Sequence, residues 1–182
     1  MTWLLERLAD HARHRPGAVA LEDTDGVVTY AALHRRVTER AARLRHIGAR
    51  RLALAGDNGI DWVITDLAAL SLGVPVVPVP PFFSDDQRRH LSNEARLDVL
   101  YHADRDRLTR TGVAGARATD DLAKITFTSG STGTPKGVRL TGDHLRRTVQ
   151  ALAGALAPHA GQRHLCVLPL ATLLENVAGV YV

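Results

Sequence analysis

Residues 127–138 read FTSGSTGTPKGV, and no other stretch of the chain concentrates so much polar chemistry between apolar flanks. Thr128, Ser129, Ser131, Thr132 and Thr134 supply hydroxyls that can donate to phosphoryl oxygens. Gly130, Gly133 and Gly137 let the backbone turn and approach a ligand with no Cβ in the way, and successive amides in such a turn can form an anion-binding nest. Lys136 adds a mobile positive point charge suited to the outer phosphates of a nucleotide, and Pro135 stiffens the chain just before it. The competing reading is a flexible Gly/Ser linker. The pattern is not a Walker A loop, which needs Gly-Lys-Ser/Thr, and a Rossmann glycine fingerprint is absent.

Strands are needed on both sides to hold such a loop. LAKITFTS and KGVRLT read as strands, so the loop joins two elements of one sheet rather than two separable domains. The rest of the chain alternates helices with strands. A first helix stops at Pro16-Gly17, and AVALED and VVTY flank a turn at Thr24-Asp25-Gly26 as a hairpin. Leu33, Val37, Ala41, Leu44 and Ile47 recur on one helical face that Gly48 closes. RLALAG is a short strand, IDWVITDLAALSLG a second helix, and VPVVPV an extended segment whose prolines argue for a strand end or an edge. Ser84 followed by Gln87 has capping-box spacing and opens a third helix; LDVLYHA is the next strand. After the loop come the helix DHLRRTVQALAGAL, the strand RHLCVLPL and the segment ATLLENVAGVYV.

This order predicts an α/β fold, a largely parallel sheet with helices on both faces. Three portions are expected: 1–103 as a first α/β portion, 104–120 as a polar, least structured connection, and 121–182 carrying the phosphate-loop hairpin, a helix, a strand and the start of a further helix. Sites in such sheets lie at the carboxyl ends of strands, where the loop is placed. Leu173, Leu174, Val177, Val180 and Tyr181 keep helical spacing up to the last residue with no closing signal, so the expectation is that the segment continues in a longer protein.

Composition narrows the function classes. Hydrophobic residues make up 45% and charged residues 23%, as in a folded globular domain. The net charge of +4 rests on arginine, since Lys124 and Lys136 are the sole lysines, but the arginines interleave with acids and aromatics are 4%, which argues against nucleic acid. No apolar run has the length and continuity of a membrane span, and the N-terminus carries Glu6, Arg7 and Asp10 where a signal peptide needs an apolar stretch. A cytoplasmic protein is expected. Cys166 is the one cysteine and reads as a small core residue between Leu165 and Val167. His11 and His14 lie on one helix without a third ligand nearby, and Asp85 and Asp86 suit a helix first turn, so no metal site is assigned. Glu175 reads first as a helix-surface acid and second as a pocket carboxylate.

The stretch 127–138 resembles the signature of the adenylate-forming enzymes, which comprise acyl-CoA synthetases, peptide-synthetase adenylation domains and luciferases. That signature, Tyr/Phe-Thr-Ser-Gly-Ser/Thr-Thr-Gly-x-Pro-Lys-Gly-Val, is matched at every specified position. VTYAALHRRVTERAARLRHIGA, DWVITDLAALSLGVPVVPV and LCVLPLATLLENVAGVY resemble further family segments in the family's order. The resemblance is strongest to fatty acyl-CoA synthetases. It implies the first part of a large N-terminal AMP-binding domain, ATP and Mg²⁺, and a carboxylic acid, fatty or otherwise hydrophobic, that is adenylated and then passed to coenzyme A or a phosphopantetheine carrier. It assigns Thr128, Ser129, Gly130, Ser131, Thr132, Gly133 and Lys136 to the ATP phosphates. Thr172 stands where many acyl-CoA synthetases have a histidine or aromatic near the acyl pocket, with Glu175 beside it. The family's catalytic lysine has no counterpart here, so no catalytic residue is assigned and the C-terminal part of the enzyme is an implied partner. Without it the chain is expected to be inactive and to self-associate through apolar surface near 173–182. The alternative is a stand-alone nucleotide-binding or regulatory domain.

Overall fold

In the computed structural model, residues 1–116, 121–128, 135–157 and 163–182 are described. Helix α1 (Thr2–His14) precedes a hairpin of β1 (Val19–Asp23) and β2 (Gly26–Thr29), in which Asp23 pairs with Gly26. Thr24 and Asp25 alone make the turn, and Gly26, at φ +148°, opens the second strand instead of closing the turn. Helix α2 (Tyr30–His46) starts where the Thr29 side chain accepts from Ala32 N–H. It buries Leu33, Val37, Ala41 and Leu44, the stripe that the spacing predicts, and Gly48 follows at φ +69°.

Then β3 (Leu52–Ala55), α3 (Ile60–Ser71), β4 (Val76–Pro78), α4 (Asp85–Ala95) and β5 (Val99–His102) form successive crossovers. Strand β6 (Arg107–Arg110), the hairpin of β7 (Leu122–Thr128) and β8 (Lys136–Thr141), helix α5 (Gly142–Leu156), and a short α6 (Leu173–Asn176) running into a π turn (Val177–Tyr181) complete the described chain. The main sheet has the order β6-β5-β3-β4-β7-β8. Strands β5, β3, β4 and β7 are parallel, while β6 and β8 are antiparallel edges. The α/β class with a mostly parallel sheet is therefore as expected.

Alternation along the strands sorts the core. Leu52 and Leu54 of β3 face a cluster with α1, α2, α3 and α5, whereas Ala53 and Ala55 face a smaller one closed by Leu91 and Ala95 of α4. Ser84 and Gln87 form the reciprocal capping box: Gln87 N–H donates to Ser84 Oγ at 3.3 Å and Ser84 N–H to Gln87 Oε1 at 2.9 Å.

Two expectations need correction, and a third is settled between its alternatives. Of the two readings of VPVVPV, the strand end holds and the edge does not: β4 lies between β3 and β7, with prolines at its limits. Pro75 precedes it and offers its carbonyl to Leu52 N–H, so the missing proline donors fall at the strand's ends. The segment 104–120 is not a bare connection, because β6 pairs along β5 from Val99↔Arg110 to His102↔Arg107, although 117–120 lie outside the described residues. RHLCVLPL forms no strand among its described residues, 163–170. A strand needs a neighbour to accept its ladder, and among the described residues no strand pairs with it.

The β6 edge is fastened by Arg40, a buried residue of α2. Its guanidinium donates to Thr65 Oγ1 at 2.5 Å and Asp61 Oδ1 at 2.8 Å, and pairs with Asp106 Oδ1 at 2.9 Å. It also lies 4.4 Å from the centre of the Tyr101 ring, whose hydroxyl donates to the same Asp106 oxygen at 2.9 Å. No helix among the described residues is long and apolar enough to cross a membrane.

Candidate functional site

The β7–β8 hairpin frames the polar loop. Thr128 and Lys136 are directly opposed at its mouth, with Phe127 against Gly137 and Thr126 against Val138 below them. A Cβ on Gly137 would lie 3.0 Å from Ile125 Cγ2 and 3.0 Å from Phe127 Cζ, so the signature's last glycine is needed for packing. Thr128 and Lys136 are both exposed. Lys136 makes no ion pair with another described residue, and its ammonium is a point charge suited to an anion. The structure thus brings together the two described members of the predicted phosphate set. Ser129, Gly130, Ser131, Thr132 and Gly133 lie outside the described residues.

His90 of α4 reaches the loop's exit, a contact that no sequence pattern marks. Its Nε2 is 3.0 Å from the carbonyl oxygen of the buried Pro135 and 2.8 Å from Glu94 Oε2. Both neighbours can only accept, so Nε2 carries the proton. Helix α4, started by its capping box, thereby holds the residue before Lys136.

A second polar group gathers on residues 164–179. The Asn58 side chain, in the turn after β3, accepts from Leu170 N–H at 2.6 Å and donates to the Leu168 carbonyl at 2.8 Å. One amide thus takes the place of a neighbouring strand for the Leu-Pro-Leu segment, while Leu165 and Val167 stay exposed. Thr172 Oγ1 donates to the Pro169 carbonyl at 2.7 Å, and the residue is half-buried at the start of α6.

Glu175 is not a surface acid. It is buried, with Oε1 2.9 Å from His164 Nε2 and Oε2 accepting Leu168 N–H at 3.1 Å. Burial works to raise its pKa, but hydrogen bonds from His164, Leu168 N–H and Cys166 outweigh that and hold it below the ordinary value. Cys166, expected in the core, is only half-buried because its flanking residues face outward. Burial, then the hydrogen bond to Glu175 and its charge, push the thiol up to about 11, so it is protonated at neutral pH and is not a nucleophile. The ligand atoms of His164, Cys166 and Glu175 lie within 4.8 Å of one another. They bond to each other, and a metal would demand the thiolate that Glu175 opposes. Gly179 lets the last turn close over them: a Cβ there would be 2.9 Å from His164 Nε2. Thr172 and Glu175 are three residues apart on this segment, but Glu175 is occupied in holding it together.

The family model described as AMP-binding enzyme matches residues 8–119 and 111–182. The isonitrile lipopeptide synthase of Streptomyces coeruleorubidus is 32% identical over 201 residues, an alignment covering 96% of this chain and 14% of that protein. O-succinylbenzoate coenzyme A synthetase (MenE) from Bacillus subtilis, solved in complex with ATP and magnesium ion, superposes with a TM-score of 0.75 at 22% identity, over 94% of this chain and 52% of that one. VinN gives a TM-score of 0.78 at 20% identity, over 97% and 54%. At such identities the solved structures speak for the fold alone. The chain spans about half the length of these solved relatives and a smaller share of the curated synthases.

Proposed function

The chain belongs to the AMP-binding enzyme family, and from that premise we propose that it is the ATP-phosphate-binding part of a carboxylate-activating ligase. A carboxylate oxygen of the substrate attacks the α-phosphorus of ATP and displaces pyrophosphate, giving an acyl-adenylate. A thiol, of coenzyme A or of a carrier's phosphopantetheine, then attacks the acyl carbon, loses its proton and displaces AMP. Thr128 and Lys136, opposed and exposed at the hairpin mouth, carry this reading. They fit an anion: a hydroxyl donor and an ammonium with no ion pair among the described residues stand opposite one another. The hydroxyls and glycines between them are proposed to complete the phosphate cradle, as their composition suits. Mg²⁺, when bound, neutralises charge on the triphosphate; no residue of this chain is assigned to it.

The acid is proposed to be fatty or otherwise hydrophobic, in keeping with Leu165, Val167, Leu168 and Leu174, which flank Thr172 and Glu175 and expose apolar surface. The same surface suits self-association of the 182-residue chain. Alone it is proposed not to turn over, since the groups expected from a C-terminal part are preorganised and solvent cannot replace them. A cytoplasmic location is part of the same proposal.

The test uses the protein of natural length that contains this chain. Carboxylate-dependent ATP–pyrophosphate exchange should be found within a panel of fatty, aryl and amino acids. In Lys136→Ala it should fall by about 10²-fold or more, as for loss of one preorganised charge-stabilising group, with the unfolding midpoint unchanged because Lys136 is exposed. Unchanged exchange in that variant overturns the assignment of the loop.

A further inference from the structure

Lys124 and Asp66 form an ion pair with both side chains 0% exposed. Lys124 lies in β7, four residues before Thr128, and Asp66 in the middle of α3. The remaining carboxylate oxygen, Asp66 Oδ2, accepts from Asn176 Nδ2 at 3.1 Å and from the Tyr181 hydroxyl. The ammonium faces the rings of Trp62 and Tyr181 at 5.8 and 5.5 Å. One carboxylate therefore binds the strand that leads into the phosphate loop and, through its other oxygen, the segment that follows Thr172.

Stability is a poor account of this arrangement. Removing each ion from water costs several kcal/mol, and apolar side chains of similar volume generally do as well or better. What a dry pair with two further hydrogen bonds does supply is a single geometry. A slip of α6 or of β7 would strand a charge where no solvent can answer it.

We propose that Asp66, Lys124, Asn176 and Tyr181 are positioning residues that fix the segment bearing Thr172 and Glu175 in register with the strand bearing Thr128. The device thereby holds the acid-binding part to the phosphate-binding part. What those two parts bind rests on the ligase reading above.

The decisive variant in the natural-length protein is the double replacement Lys124→Met with Asp66→Leu, which removes both charges and keeps the volume. Its denaturant midpoint should stay near or moderately below wild type, because Asn176 and Tyr181 lose their acceptor as the two charges are removed, while KM for ATP and KM for the acid both rise about 10-fold and kcat changes less. Wild-type KM values in a folded double variant overturn the proposal and leave the pair as core filling. Should the double variant not fold, Tyr181→Phe decides, because it takes one hydroxyl from Asp66 and no charge. A rise of about threefold in both KM values supports the device and unchanged values sink it. Absence of exchange in the wild type would instead overturn the ligase reading. The positioning claim is then decided by amide hydrogen exchange in the same variants: about 10-fold faster exchange in β8 and in residues 173–181 supports it, and wild-type rates overturn it.

Discussion

Arg40 and Lys124, two of the buried cations among the described residues, hold this sheet differently. Arg40 fastens the β6 edge with a planar fork spread over Thr65, Asp61 and Asp106, and its acidic partners keep 35% and 53% of their side chains in solvent. Lys124 has one carboxylate, and that carboxylate is wholly dry. Loss of Arg40 returns Asp61 and Asp106 to water, while Thr65 keeps its bond to the Asp61 carbonyl. Loss of Lys124 leaves Asp66 charged in the core with only Asn176 and Tyr181 to answer it. Comparable inventories of hydrogen bonds thus carry unequal consequences, and solvent at the partner is what separates them.

The largest effect should follow Lys124→Ala, which is expected to cost about 3–5 kcal/mol in equilibrium denaturation through the orphaned carboxylate. Arg40→Met, which keeps much of the stem packing, should cost about 1–2 kcal/mol, because Asp61 and Asp106 recover hydration. If the two variants lose equal stability, exposure of the partner is not the controlling variable. The smallest test is alkaline titration. Burial pushes the Tyr101 phenol, beside Arg40, up to about 12 from 10.0. The folded state therefore keeps a proton that the unfolded state gives up, and this contribution to stability is lost as pH rises from 10 to 12. Burial lowers the Lys124 pKa against the pull of Asp66, so its contribution changes oppositely, growing as pH rises toward 10.5. Tyr101→Phe should remove about 1 kcal/mol of the alkaline loss when denaturation is compared across that window.

The residues that sequence alone made legible are those whose role is local. The Ser84–Gln87 box, the Leu33 to Leu44 stripe and the hairpin about residues 127–138 each depend on spacing within a few positions, and each stands where the pattern places it. Asn58 and His90 carry no such mark, since a turn asparagine and an exposed-face histidine look ordinary until Leu168 and Pro135 arrive beside them. Glu175 looked like a surface acid because helical periodicity cannot show that His164 lies 2.9 Å away. Lys124 and Asp66 did leave a trace. Each is a lone charge inside an apolar run, LAKITF and WVITDLAAL, and two such charges of opposite sign demand one another. The prolines of β4 left strand end and edge both open, because they speak of missing donors without saying on which side a neighbour lies.

The β7–β8 hairpin also bears on how the protein comes to be. Parallel strands β3, β4 and β5 can meet only after their helical crossovers are laid down, a slow and non-local search. Thr128 and Lys136 are joined by a short connection and can pair within about 10 μs, before the strands on which the hairpin later docks are in order. On a ribosome the frame of the polar loop would be complete as soon as residue 141 clears the exit tunnel.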